Sequence, residues 1–173
     1  MAKGNVIPDR KRGDEFLVAQ SDPVWQAWLA DMNTVVTDFV TSEIPDVSGD
    51  PFSADGLLAA ERSALERFGS ISEFEDPANE VIADKYIRYF GDTFVRNFGA
   101  RWVNILQPTQ GLVASVEYPY PAIYLAPRFL TTAALHRRTG TEWAEVFGYQ
   151  VKNYNQWISE DPAGKMRTPS WAM

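Results

Sequence analysis

The chain has 173 residues, 45% hydrophobic and 13% aromatic, which suits one domain with a sizeable core and excludes a disordered chain. A formal charge of −7 removes the basic footprint of a nucleic-acid binder and leaves a surface suited to a basic protein partner or simply to solubility. With no cysteine, disulfides and thiolate metal sites are excluded, as fits a reducing, cytoplasmic setting.

Residues 1–20 read as a polar N-terminal arm. The opening MAKGNVIPDRKRGDEF has no apolar core of a conventional signal peptide. Its basic cluster, Arg10, Lys11 and Arg12, is expected to pack on the acidic surface of its own chain or of a neighbour. A globular domain then spans 21–158. Asp22 is placed to cap a helix and Pro23 to occupy its first turn. At about 100° per residue, Val24, Trp25, Trp28, Leu29, Met32, Val35, Val36, Phe39 and Val40 share one arc, which predicts a single amphipathic helix over 23–42. The turn-rich IPDVSGDPFS follows. Its acids, Asp46, Asp50 and Asp55, lack the spacing of a calcium loop and read as turn and capping residues.

Ser53 starts a second helix whose stripe is Leu57, Ala60, Ala64, Leu65 and Phe68. Glu61 falls inside that stripe. A buried carboxylate needs a partner or becomes neutral, so Glu61 reads as half of a buried ion pair or as a polar lock between helices, with Arg101 the expected cation. A third, central helix starts near Pro77. Ala83, Tyr86, Ile87, Phe90, Gly91, Phe94, Val95 and Phe98 form its broad arc, and Arg88, Asp92 and Arg96 form a charge ladder on the opposite side. Gly91 implies close approach by another backbone, and Gly99 ends the helix. Tyr89 lies on the polar side, where a core does not require it.

After Gly99 the period changes from 3.6 to 2. RWVNIL and LVASVEY read as a hairpin, and YPYPAIYLAP as an extended segment in which residues 123–125 pair at a sheet edge. A short helix from Pro127 ends in basic residues before Gly140, and Thr141 caps a last helix reaching Ile158. Residues 159–173 form a polar tail, with Trp171 expected to dock in an apolar groove. The whole is an α+β domain of about five helices on a small antiparallel sheet of two to four strands. No apolar run approaches a membrane span.

The chain resembles a loose group of mainly actinobacterial domains of unknown function over residues 50–125. The resemblance rests on Ser53, Leu57 or Leu58, Glu61 and Phe68 for a helix of SL…E…F type. It continues with Tyr89, Gly91 and Asp92 for a Y-x-G-[ED] helix, and with Gly99, Arg101 and Trp102 for a G-x-RW exit into a hairpin. Asp92 stands where the group usually has Glu. The group is similar to bacterial immunity and accessory proteins, which implies an interaction role and brings no catalytic residues with it.

The single histidine, His136, sits beside two arginines at a helix end, and no G-x-S-x-G elbow accompanies it. The common phosphate-binding glycine motifs are missing too. No cofactor or metal is expected. Glu61 and Glu117 are the candidates for a carboxylate-dependent hydrolase. The leading expectation is a non-enzymatic protein-interaction module. The alternatives are that hydrolase and a structural subunit of a larger assembly held by its tails. The candidate contact residues are Tyr118, Tyr120, Tyr124, Tyr89 and Trp171. Proline-flanked tyrosines offer broad apolar area and a hydroxyl at low entropic cost. The competing role for the same rings is closure of the core.

Overall fold

The structure is a computed structural model that describes residues 12–107, 109, 111–120 and 122–160. Among these, eight α-helices and a two-stranded antiparallel sheet form an α+β fold. In chain order they are α1 (Asp14–Gln20), α2 (Pro23–Ala30), α3 (Met32–Glu43), α4 (Ala54–Arg67), α5 (Ile71–Phe74), a 3₁₀ turn (Pro77–Asn79), α6 (Glu80–Phe98), β1 (Arg101–Gln107), β2 (Gly111–Glu117), α7 (Pro127–Arg137) and α8 (Glu142–Glu160).

Four of the expected five helices, α4, α6, α7 and α8, keep their place with small shifts of boundary. The expected single helix over 23–42 is two. Asp22 accepts the N–H of Trp25 and Pro23 opens α2, but the chain breaks at Asp31 and restarts as α3. The two halves serve different neighbours. Trp28 of α2 stacks on Trp25 and meets the edge of Trp102 on β1. Phe39 of α3 packs on Tyr86 and Tyr89 of α6. A straight helix carries one apolar stripe, so the break redirects it. The other additional helices are α1, within the stretch read as the arm, and the short α5.

The helix α6 is central, as its broad arc implies. Every residue from Tyr86 to Phe94 is buried, so the side read as polar is covered as well, by α3. That burial redraws the charge ladder. Arg88 bonds Asp84 at 2.6 Å and Arg96 bonds Asp92 at 2.6 Å, each reaching back one turn. The two guanidiniums also lie over the rings of Trp28 and Phe52. Gly99 adopts φ 59° and terminates the helix.

β1 pairs with β2 from Arg101↔Glu117 to Gln107↔Gly111. Trp102, Asn104 and Leu106 share a face with Val116, Ala114 and Leu112, and Trp102 turns that face toward α6. The edges are closed by other means. Gln20, at the end of α1, holds Asn104 as a strand would: its amide donates to the carbonyl of Asn104 at 2.7 Å and accepts its N–H at 2.9 Å. On the other edge Val116 exchanges both backbone bonds with Leu125. Of the expected 123–125 strand, Leu125 alone pairs.

Candidate functional site

The tyrosine-proline segment behind β2 divides into a buried and an exposed part. Tyr118 and Tyr120 are buried and stacked on each other at 5.2 Å. Tyr120 packs against Tyr154 and Trp157 of α8 and donates its hydroxyl to Gln150 at 3.1 Å. Burial pushes both phenols well above their ordinary range. These two rings close the core under α8 and leave the candidate contact surface. Tyr89 leaves it too. Its ring is fully buried on Phe39, and its hydroxyl donates to the carbonyl of Pro51 at 2.6 Å. Gly56 makes room for this contact, since a Cβ there would lie 1.9 Å from that carbonyl oxygen. Tyr89 therefore ties the 44–52 loop to α6. The sequence placed it on a polar side because the loop that covers it lies some forty residues upstream. Trp171 lies outside the described residues.

Ala122, Ile123 and Tyr124 remain on the surface. Ile123 is 90% exposed and Tyr124 40%. The segment is nonetheless held at both ends, by buried Tyr120 before it and by the Val116–Leu125 bridge after it. The Tyr124 hydroxyl accepts from Arg12 at 2.9 Å and reaches Glu117 at 3.2 Å.

Glu117 is the centre of a polar cluster. Its carboxylate is bonded by Arg12 on one oxygen and by Nε and Nη2 of Arg101, at 2.9 and 2.8 Å, on the other. Arg12 thus docks on an acid of its own chain, as expected for the basic cluster; Arg10 and Lys11 lie outside the described residues. The same bonds correct the expected Glu61–Arg101 pair. Arg101 opens β1, so its cross-strand neighbour is Glu117. Glu61 is buried, as its position in the stripe requires, but it acts as a lock between helices. Its Oε2 accepts the backbone N–H of Trp143, in the first turn of α8, at 2.7 Å. Its Oε1 has no hydrogen-bond partner.

Gly91 faces the indole of Trp102 and the ring of Pro127, so the close neighbours are side chains and not the backbone expected from the glycine. His136 is exposed in the last turn of α7. That helix ends on Arg138, with φ 53°, and not on Gly140. The Arg138 guanidinium donates to the carbonyls of Leu65, Phe68 and Gly69. Leu65 is in the last turn of α4 and Phe68 caps it, so their carbonyls are open, which explains an arginine where glycine would be less strained.

Asp50 accepts the N–H of Phe52, a turn contact, and Asp55 sits in the first turn of α4. No three metal-ligating side chains cluster among the described residues. Nor does any helix among them have the length and apolarity to cross a membrane. A shallow hollow of about 420 Å³ lies between the 44–48 loop and α4. Glu43, Asp46, Asp55 and Glu66 line it, with Arg62 as the cation among them. Neither Glu61 nor Glu117 lines it. Comparison with known proteins finds no family model, no curated protein and no solved structure that matches the chain.

Proposed function

We propose that the chain is a non-enzymatic protein-interaction module of the accessory or immunity-like kind, and that it meets its partner through Ala122–Tyr124. The observation that carries this reading is the run of three exposed apolar residues on a segment pinned at both ends. Single exposed apolar side chains are ordinary, and Val24 and Val81 are such cases. A contiguous, pre-ordered run differs, because binding through it orders little that is not already ordered. The four acids around the α4 hollow favour a basic partner.

A photoreactive residue in place of Ile123 tests this, with the same residue in place of Val81 as the exposed control. The expected result is one discrete cross-linked protein from position 123 and none from 81. Ile123→Ser should then weaken the isolated complex at least about tenfold, equivalent to about 1.4 kcal/mol, with the melting temperature unchanged. Equal labelling from both positions, or a loss of stability without a loss of affinity, would remove the assignment.

A further inference from the structure

Glu61 sits on the apolar stripe of α4 with Leu57, Ala60 and Ala64, and is 1% exposed. It faces the start of α8. One oxygen takes the N–H of Trp143; the other has no partner. As an anion it would gain from the N–H groups of that first turn, yet its Oε1 would lie buried without a hydrogen-bond partner. As a neutral acid it keeps the Trp143 bond and carries no charge.

The surroundings shift the carboxyl toward the neutral form. Burial raises the carboxyl above its ordinary range, and the charge of Glu142 on α8 adds to this; the N–H groups of Trp143, Glu142 and Gly140 oppose it and do not prevail. From α6, Tyr86 reaches α4, where its hydroxyl is engaged by Ser63 and Arg67. The α7 end supplies Arg138, which is engaged on the last carbonyls of α4. Neither is bonded to Glu61.

We propose that Glu61 is a proton-operated latch: as the neutral acid it holds the first turn of α8 on α4, and loss of its proton to water weakens that hold. Trp143, buried and stacked on Phe90 at 4.4 Å, is the side chain the latch retains. The inference does not depend on the interaction reading, which concerns another surface. The sign follows from linkage. A carboxyl raised in the latched form and ordinary in the open form makes opening more favourable as pH rises from about 4.5 through the raised value. In that window opening gains up to about tenfold per pH unit.

Hydrogen exchange of the amides in residues 142–146, as protection factors across pH, tests it in wild type and Glu61→Gln. Gln keeps a carbonyl oxygen for the Trp143 N–H and cannot ionise. Protection in the wild type should fall with pH by up to about tenfold per unit within the window, and in the variant it should stay level. Should the variant not fold, ¹³C NMR of the Glu61 carboxyl carbon in the wild type decides, with a midpoint above 4.5 expected. Equal pH slopes in the two proteins, or a midpoint at or below 4.5, would overturn the latch.

Discussion

Replacing Gly91 by Ala isolates the contact that joins the central helix to the sheet. Two effects oppose each other. Alanine gains about 1 kcal/mol over glycine in a helix interior. Against this, a Cβ at 91 would lie 2.1 Å from Cη2 and 2.4 Å from Cζ2 of Trp102, and 3.0 Å from Cγ of Pro127. Ordinary contact begins near 3.4 Å, so the indole must retreat by about 1.3 Å, the difference between 3.4 and 2.1. It cannot do so freely. Trp102 is held edge-on by Trp28 at 5.1 Å, and Trp28 is itself bonded to Asp84 and stacked on Trp25. Overpacking a held site costs about 1–3 kcal/mol, and the rigid ring puts this one at the upper end. The net expectation is a loss of about 2 kcal/mol, or about 4–8 °C in melting temperature for a chain of this size.

Chemical denaturation followed by far-UV circular dichroism reads the loss, and a double-mutant cycle attributes it. In a Trp102→Leu background the clash with the indole is gone and the 3.0 Å approach to Cγ of Pro127 is the tight contact left. There Gly91→Ala should be neutral or stabilising by up to about 1 kcal/mol. Gly91→Ala at or above wild-type stability in the native background would refute the reasoning. So would an equal loss in both backgrounds, since the cost would then arise elsewhere than at the indole.

Glu117→Gln should cost about 3 kcal/mol in denaturant unfolding, because it withdraws a buried carboxylate from the guanidiniums of Arg12 and Arg101; a midpoint equal to wild type would show that the cluster stabilises nothing. The raised phenols of Tyr89, Tyr118 and Tyr120 set an alkaline limit. The unfolded chain ionises them near pH 10 and the folded chain does not, so stability falls as pH rises above about 10. Ultraviolet titration with circular dichroism should show these tyrosines ionising only as the fold is lost, and ionisation of all seven tyrosines with the fold intact would contradict it.

Most of the helical architecture was legible because periodicity and caps are local. Ser53 accepts the N–H of Gly56, and Gly99 takes the left-handed conformation that ends α6. What was not legible depends on partners distant in sequence. The apolar arc runs unbroken through Asp31, since the break answers to two neighbours and not to local preference. The short helix α1 is only seven residues long. It is held by Gln20 on a strand edge more than eighty residues away, so no local signal announces it. Glu61 was recognised as buried because burial follows the stripe. Its partner was missed because a backbone N–H leaves no mark in a sequence, whereas an arginine does. Tyr120 and Tyr124 differ by four residues in the same composition. Only the position of α8 over one of them separates core closure from surface.

The stretch from Tyr89 to Trp102 gathers an acid, two arginines, two glycines and several aromatic residues. Most of its polar side chains are engaged within the fold. Tyr89 donates to Pro51, Asp92 accepts from Arg96, Thr93 donates to the Tyr89 carbonyl and Arg101 is bonded to Glu117. Gly91 and Trp102, from two separate pieces of the motif, are in contact with each other. A motif whose parts satisfy one another is maintained by the needs of packing: a buried helix must provide partners for its own polar groups, and one crossing closely over a sheet must provide the gap. A partner surface calls for the opposite arrangement. It belongs where apolar groups are held in place and still lack a neighbour. Ala122–Tyr124, proposed above as that surface, is exposed between buried Tyr120 and the Val116–Leu125 bridge.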